Sequence, residues 1–382
     1  MARYSRLGFA AAFQHVGLAY LAADQGDETQ ARHWLAATRD DIGSLRLSMI
    51  ELDIEMCEAW LARKRDESSL DELHRAFATA RRDARLASCW WTRPMLAELC
   101  AVALEADIEV AHVTRIVRAH GLSAPQRYRH LASWPWQIRL HLTGRVRTLV
   151  DDEQLAADGA RGARPLELVH ALASLGGRAR ASVLADLLWP DAEGDAAMDA
   201  FKTTLSRARR RLGIGGALPL VDGQLSLAPS VVWCDVVELT TLDRRAAAAD
   251  VDTQQRRYAD EAIIALYGGE LLPDETRRWA SDARRRLRDR WLRAVMRRGD
   301  ALADAGRHAA AATVFEGALE LAPGTEPLYR WAMAAHLLAG TPEAGLLLFE
   351  RCCLELPDAP VRVPDAATES IHEALTVAAR AI

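Results

Sequence analysis

Apolar residues recur with a helical period from about residue 7 to residue 119, in segments of 12–20 residues broken by short polar turns. Gly26-Asp27 separates a run ending near Ala23 from one carrying Ala31, Trp34, Leu35 and Ala36; further breaks fall near 41–44, at 66–69 and at 91–94. This spacing predicts helices paired through short turns, with alanines where the axes approach closely. The regime ends at His120-Gly121, and Pro125 and Trp134-Pro135-Trp136 follow. Residues 137–142 then alternate polar and apolar; with the turn at Gly144 and a second run at 145–150, they predict a small antiparallel sheet. Three helical segments follow at 165–175, 182–188 and 196–212. Residues 218–221 and 224–227 flank Asp222-Gly223, a pair that favours the type I′ turn of a hairpin. From Asp235 onward the pattern is helical again, punctuated by Gly306, Pro323-Gly324 and Gly340-Thr341-Pro342.

These regimes divide the chain into a helical-repeat region at 1–119, a linker at 120–136, an α+β segment at 137–228 and a helical segment at 235–382. Strands, three helices and a closing hairpin are the order of a winged helix-turn-helix. The expected fold class is therefore mainly α, with helical-hairpin arrays flanking a small winged helix-turn-helix domain. Helices starting near His308, Glu326 and Glu343 lie 17–18 residues apart, which is two helices per tetratricopeptide period. Ala301, Ala303, Gly306, Ala310, Phe315, Ala318 and Pro323 fit the small and aromatic positions of that repeat; Gly17, Tyr20 and Ala31 echo it at imperfect spacing. Such arrays are docking surfaces rather than catalytic ones.

Composition narrows the partners. The 382 residues carry a net charge of −5, with 26% charged residues and 50% hydrophobic ones. That balance excludes a disordered chain and a uniformly basic nucleic-acid coat, but not a localised basic patch. Of 48 basic residues only Lys64 and Lys202 are lysine; arginine is planar, permanently charged and bidentate, so its placement matters for phosphates and bases. No uninterrupted apolar run approaches the ~18 residues of a membrane span, and no signal-peptide pattern follows Met1. A cytoplasmic protein without membrane partners is expected. The six cysteines form no CxxC pair and have no histidine at ligand spacing, which predicts buried, reduced thiols and no metal.

The segment 196–212 holds the candidate chemistry. Met198, Phe201, Leu205, Ala208 and Leu212 define one buried stripe at spacings of three and four. Thr203, Arg207 and Arg210 lie opposite, Ser206 and Arg211 on the shoulders, Lys202 and Arg209 on one flank. Five cations against Asp199 give this helix a net +4, whereas 137–228 as a whole carries 12 cations and 11 acids. Asp195 is placed to cap its start and Gly213 to stop it. A DNA major groove admits one helix, with polar side chains reaching base edges and flanking cations reaching phosphates. The bland alternative, a cationic last turn complementing the helix dipole, accounts for Arg209, Arg210 and Arg211 but not for Lys202, Thr203, Ser206 and Arg207 on the same side.

Leu188-Trp189-Pro190-Asp191, followed by Leu205-Ser206-Arg207 with Arg209-Arg210, resembles the OmpR-type winged helix of the bacterial transcriptional activators that include the antibiotic regulatory proteins. Downstream, Asp235-Val236, the stretch from Ala265 through Tyr267-Gly268-Gly269-Glu270 to Leu272, Trp279 and Pro327-Leu328-Tyr329 resemble the tetratricopeptide-like activator domain of that family. The likeness covers about 137–357. Departures are Ala208, where the family usually has leucine, and Arg180, where a capping serine is common. The resemblance implies a regulator of transcription bound to double-stranded DNA, with activation the expected effect. Asp222-Gly223 would tip a wing toward the minor groove. RNA polymerase, a second copy of the chain, and a signal ligand or protein on the arrays are the further candidate partners. Larger relatives carry a nucleotide-binding module ahead of such arrays. No GxxxxGK[ST] occurs in this chain, so the expectation is the C-terminal part of such a regulator, natural or excised.

Other features point elsewhere with less force. Ten arginines between 277 and 298 face only Asp282 and Asp289, which reads either as a solvated helix paired to acids elsewhere or as an auxiliary phosphate or polymerase contact. The histidines are scattered, with no HExxH, GxSxG or glycine-rich dinucleotide loop, and Asp151-Asp152-Glu153 reads as a solvated turn. Neither an enzyme nor a cofactor is expected. The competing class is a protein-interaction scaffold in which the winged helix packs against partners.

Overall fold

The computed structural model describes residues 2–43, 47–65, 67–156, 159–192, 194–248, 254–355 and 364–381. The chain is mainly α and separates into two compact units, Met1–Trp136 and Gln137–Ile382.

The first unit contains α1 (Ala2–Gln25), α2 (Glu28–Ile42), α3 (Ser48–Lys64), α4 (Leu70–Arg82), α5 (Arg93–Glu105) and α6 (Val110–His120). Glycine sets the turn after α1: Gly26 takes φ +82°, and the Asp27 carboxylate accepts from Gln30 N at 2.9 Å to start α2. Helices pair as α1 with α2, α3 with α4 and α5 with α6, while α3 also packs on α1 and α5. Small residues permit the approach. Ala12, Ala19, Ala23 and Ala31 are fully buried, and a Cβ on Gly17 would lie 2.5 Å from the Trp90 ring. Two breaks differ from the periodicity. The connection expected at 91–94 runs from 83 to 92, and α5 and α6 are separated at 106–109 by Asp107 and Glu109, both with positive φ. Neither is glycine, so neither announces the break in the sequence.

The second unit begins with β1 (Ile138–His141), β2 (Arg147–Val150) and β3 (Glu153–Gln154). It continues through α7 (Gly159–Ser174), β4 (Arg178–Arg180), α8 (Ala181–Leu188), α9 (Gly194–Leu212), β5 (Leu220–Val221), β6 (Gln224–Ser226) and β7 (Val232–Cys234). The four-stranded sheet has the order β3-β2-β1-β7, and the three-stranded sheet β4-β6-β5. β1 runs antiparallel to β2, with Ile138 opposite Val150, and parallel to β7, with Ile138 opposite Val232. Periodicity predicts neither β4 nor β7, each three residues long. α7 starts before the expected Pro165, which lies inside the helix and leaves one intrahelical hydrogen bond unmade. α9 starts at Gly194, so Asp195 sits in its first turn rather than at the cap.

Next come α10 (Asp235–Ala248), α11 (Gln254–Leu266), α12 (Arg278–Asp304), α13 (His308–Leu321), α14 (Glu326–Ala339), α15 (Pro342–Glu355) and α16 (Ala366–Ala381). From α10 to α16 each helix packs on the next in sequence, and α14 also packs on α16. The close approach of α12 and α13 is set by Gly299, where a Cβ would fall 2.0 Å from the Phe315 ring. One hydrophobic core runs from Ile138 to Leu375, through both segments that the sequence separates at 228 and 235.

Asp235 joins those segments. Its Oδ2 accepts from Leu142 N at 2.8 Å, Thr143 N at 2.9 Å and Thr143 Oγ1 at 2.9 Å, and its Oδ1 accepts from Val236 N at 2.8 Å. Burial pushes this carboxyl up, while the same donors hold it down. Beside it, Leu272 N donates to Leu142 O and Gly144 N to Glu270 O. Gly144 has φ +64°, and a Cβ there would lie 2.2 Å from Gly268 O.

The cysteines are free thiols. Cys57, Cys100, Cys234 and Cys352 are buried as expected, but Cys89 is exposed and Cys353 half-buried. Burial pushes Cys57 and Cys352 up to about 12. No described helix is long and apolar enough to cross a membrane.

Candidate nucleic-acid interface

α9 folds as its pattern requires. Ala197, Phe201, Thr204, Leu205, Ala208 and Leu212 are buried against α7 and α8. Met198, expected in this stripe, is half-buried. On the other side Lys202, Thr203, Ser206, Arg207, Arg209 and Arg210 are exposed, and Arg211 is half-buried.

Their hydrogen bonds divide this set. Arg209 donates through Nε and Nη2 to Leu218 O, at 3.0 and 2.7 Å, and so ties the helix to the base of the β5–β6 hairpin. Arg211 Nη2 donates to Ala156 O, across to the segment that follows β3. Lys202 Nζ meets Asp199 Oδ1 at 3.1 Å, a pair exposed on both sides and worth little in water. Arg207 and Arg210 have no hydrogen-bond or ion-pair partner among the described residues. Thus the flank and shoulder arginines hold backbone of their own unit, while the pair opposite the core stays uncommitted. A helical wheel gives all four the same weight, because it contains neither Leu218 nor Ala156.

The hairpin has the expected turn. Asp222 and Gly223 take φ +50° and +73°, the two positive values of a type I′ turn. Gly223 O accepts from Ala181 N at 2.9 Å, which fixes the tip to the start of α8. Arg178 and Arg180 of β4 are also exposed and unpartnered among the described residues. The sequence marks Arg180 only as a departure at a helix cap and does not single out Arg178, because a three-residue strand leaves too short an alternation to register.

The second basic run behaves differently. Arg284 Nε donates to Leu271 O at 2.7 Å. Arg290 and Arg293 reach Asp243 at 3.5 and 3.2 Å, Arg297 grips Asp260 at 3.0 and 3.1 Å, and Arg298 meets Glu261 at 2.8 Å. Arg277 pairs with Glu275 and Glu167, Arg285 with Asp282, and Arg288 with the Thr325 hydroxyl. Only Arg278 and Arg286 of the ten lack a partner among the described residues. This run is mainly structural wiring between α12 and its neighbours.

Residues 234–376, from the end of β7 into α16, match the family model of the bacterial transcriptional activator domain. That match supports a role in transcription regulation for a chain carrying such a domain. Among solved structures, Mycobacterium tuberculosis EmbR in complex with a low-affinity phosphopeptide is similar over 64% of this chain and 69% of that chain, at 19% identity and a TM-score of 0.43. A resemblance of that size transfers neither ligand nor activity. No curated protein sequence matches the chain.

Proposed function

We propose that the chain is a sequence-specific DNA-binding regulator of transcription, in which 137–228 acts as an OmpR-type winged helix-turn-helix and α9 enters the major groove. The observation that carries this reading is the outward face of α9. Thr203, Arg207 and Arg210 project from a helix whose opposite side is core, and the two guanidinium groups have no partner among the described residues. They are available for bidentate contact with bases. Lys202 and Ser206 flank them for backbone or base-edge contacts. Arg209 and Arg211 act one step back, by holding the hairpin and the 156 segment in place. The β5–β6 hairpin is the wing. The helical arrays serve for signal input, self-association or polymerase contact, with activation as the expected effect.

Selection of binding sites from a random duplex pool, followed by a salt series on the selected and a random duplex, tests this. The expected result is log K falling linearly with log[salt], by about 0.9 per phosphate neutralised. Arg207→Ala and Arg210→Ala should each lose roughly 1–3 kcal/mol on the selected duplex and relax preference at one position. No binding at low salt, or variants indistinguishable from the parent, would refute the reading.

A further inference from the structure

The hairpin read as the wing has no cation of its own: from 218 to 227 the one charged residue is Asp222, at the tip. Beside it Val221 is 63% exposed. Set against a polyanion, such a hairpin offers a carboxylate and an apolar side chain, so its attraction to DNA must come from elsewhere.

The neighbouring strand supplies it. β4 pairs with β6 in the register Arg178–Ser226, Ala179–Leu225 and Arg180–Gln224. Ala179 and Leu225 are buried, so alternation puts Arg178 and Arg180 together on the opposite, solvent face of the sheet. Arg180 stands across from the residue that follows the tip glycine, and the next backbone N–H, that of Ala181, is bonded to that glycine's carbonyl at 2.9 Å. Two residues along a strand advance ~6.6 Å, a span over which one DNA strand presents about two phosphates, at one per ~3.4 Å of helix axis. The two arginines are thus spaced for successive backbone contacts, held on a paired strand rather than a loop, and not engaged within the described fold.

We propose that Arg178 and Arg180 make the phosphate contacts of the wing, so that β4 supplies sequence-independent affinity while α9 supplies sequence preference. This rests on the DNA-binding reading above, and the test separates the two. The 382-residue chain, its Arg178→Ala/Arg180→Ala variant and its Arg178→Lys/Arg180→Lys variant are titrated onto labelled selected and random duplexes over a salt series.

Loss of two phosphate contacts should make the salt slope of the alanine variant shallower by about 1.8. Affinity should fall by the same factor on both duplexes, leaving the specificity ratio unchanged. The lysine variant, which keeps both charges, should restore the slope. A parent that binds with a steep salt slope, with an alanine variant of the same slope, overturns the β4 assignment and leaves the role of α9 standing. A lysine variant as shallow as the alanine one also overturns it, because the effect is then not one of charge. A parent that binds neither duplex at low salt refutes the DNA-binding reading and this inference with it.

Discussion

Replacing Asp235 with alanine tests whether one carboxylate holds the first sheet to the helices that begin with α10. In the native fold it accepts four hydrogen bonds from nitrogen and oxygen donors, the N–H groups of Leu142, Thr143 and Val236 and the Thr143 hydroxyl, and a longer one from Cys234 Sγ at 3.7 Å. Asp235 and Thr143 are 2% and 6% exposed, so water cannot easily replace the lost acceptor. A stranded buried donor costs about 1–3 kcal/mol; the Thr143 hydroxyl can turn to Leu266 O at 3.3 Å, so the low end gives about 3 kcal/mol for the three N–H groups. That is a large part of the ~5–15 kcal/mol that holds a typical domain folded. Asp235→Asn should cost less: its carbonyl oxygen can occupy the Oδ2 position and keep three donors, leaving Val236 N facing an amide NH2. Urea unfolding of the 382-residue chain, followed by tryptophan fluorescence, should rank parent, asparagine variant and alanine variant in that order. An alanine variant within 1 kcal/mol of the parent would show that the four bonds do not act as a joint.

Three further outcomes follow from geometry already described. Burial pushes Asp53 in α3 up to about 6, so its contribution to folding is fully present below the unfolded carboxylate value of ~3.9 and is lost as pH rises through about 6. The first unit should therefore lose about 2 kcal/mol between pH 4 and 7, a slope that Asp53→Asn removes; equal pH dependence in urea melts of the two proteins would contradict this. Gly144→Ala meets both a positive φ and the Gly268 carbonyl, whereas Gly176→Ala at φ +88° meets open space. The second should cost roughly 1–2 kcal/mol for conformation alone, and the first clearly more in the same thermal melts. Arg209→Ala should release the hairpin base and speed amide exchange at Val221 and Gln224, while Arg210→Ala leaves that exchange unchanged.

Local patterns were legible in the sequence where a local cause decides the structure. The α9 core stripe follows from spacing, the turn at Gly26-Asp27 from a glycine and a capping aspartate, and the hairpin tip from Asp222-Gly223. Features set by distant partners were not legible. β7 is three residues that become a strand only because Ile138 and its neighbours lie alongside, and Asp235 looks like any acid at a helix start until Leu142 and Thr143 are brought to it. The arginines of α9 show the same limit at the candidate site. All lie on polar positions of one helix, yet carbonyls contributed by other segments draw Arg209 and Arg211 inward while Arg207 and Arg210 stay unclaimed.

The parallel pairing of β1 with β7 also fixes how the fold responds to force. Because the two strands point the same way, the chain enters β1 at one end of the ribbon and leaves β7 at the other. Tension applied at Gln137 and at Asp235 therefore loads the β1–β7 hydrogen bonds side by side, in shear, instead of opening them one at a time. Everything from His141 to Val231, α9 included, hangs as a closed loop between these strands. A pull along the backbone is carried past the loop by the sheet, leaving the helix face that would meet DNA outside the line of force.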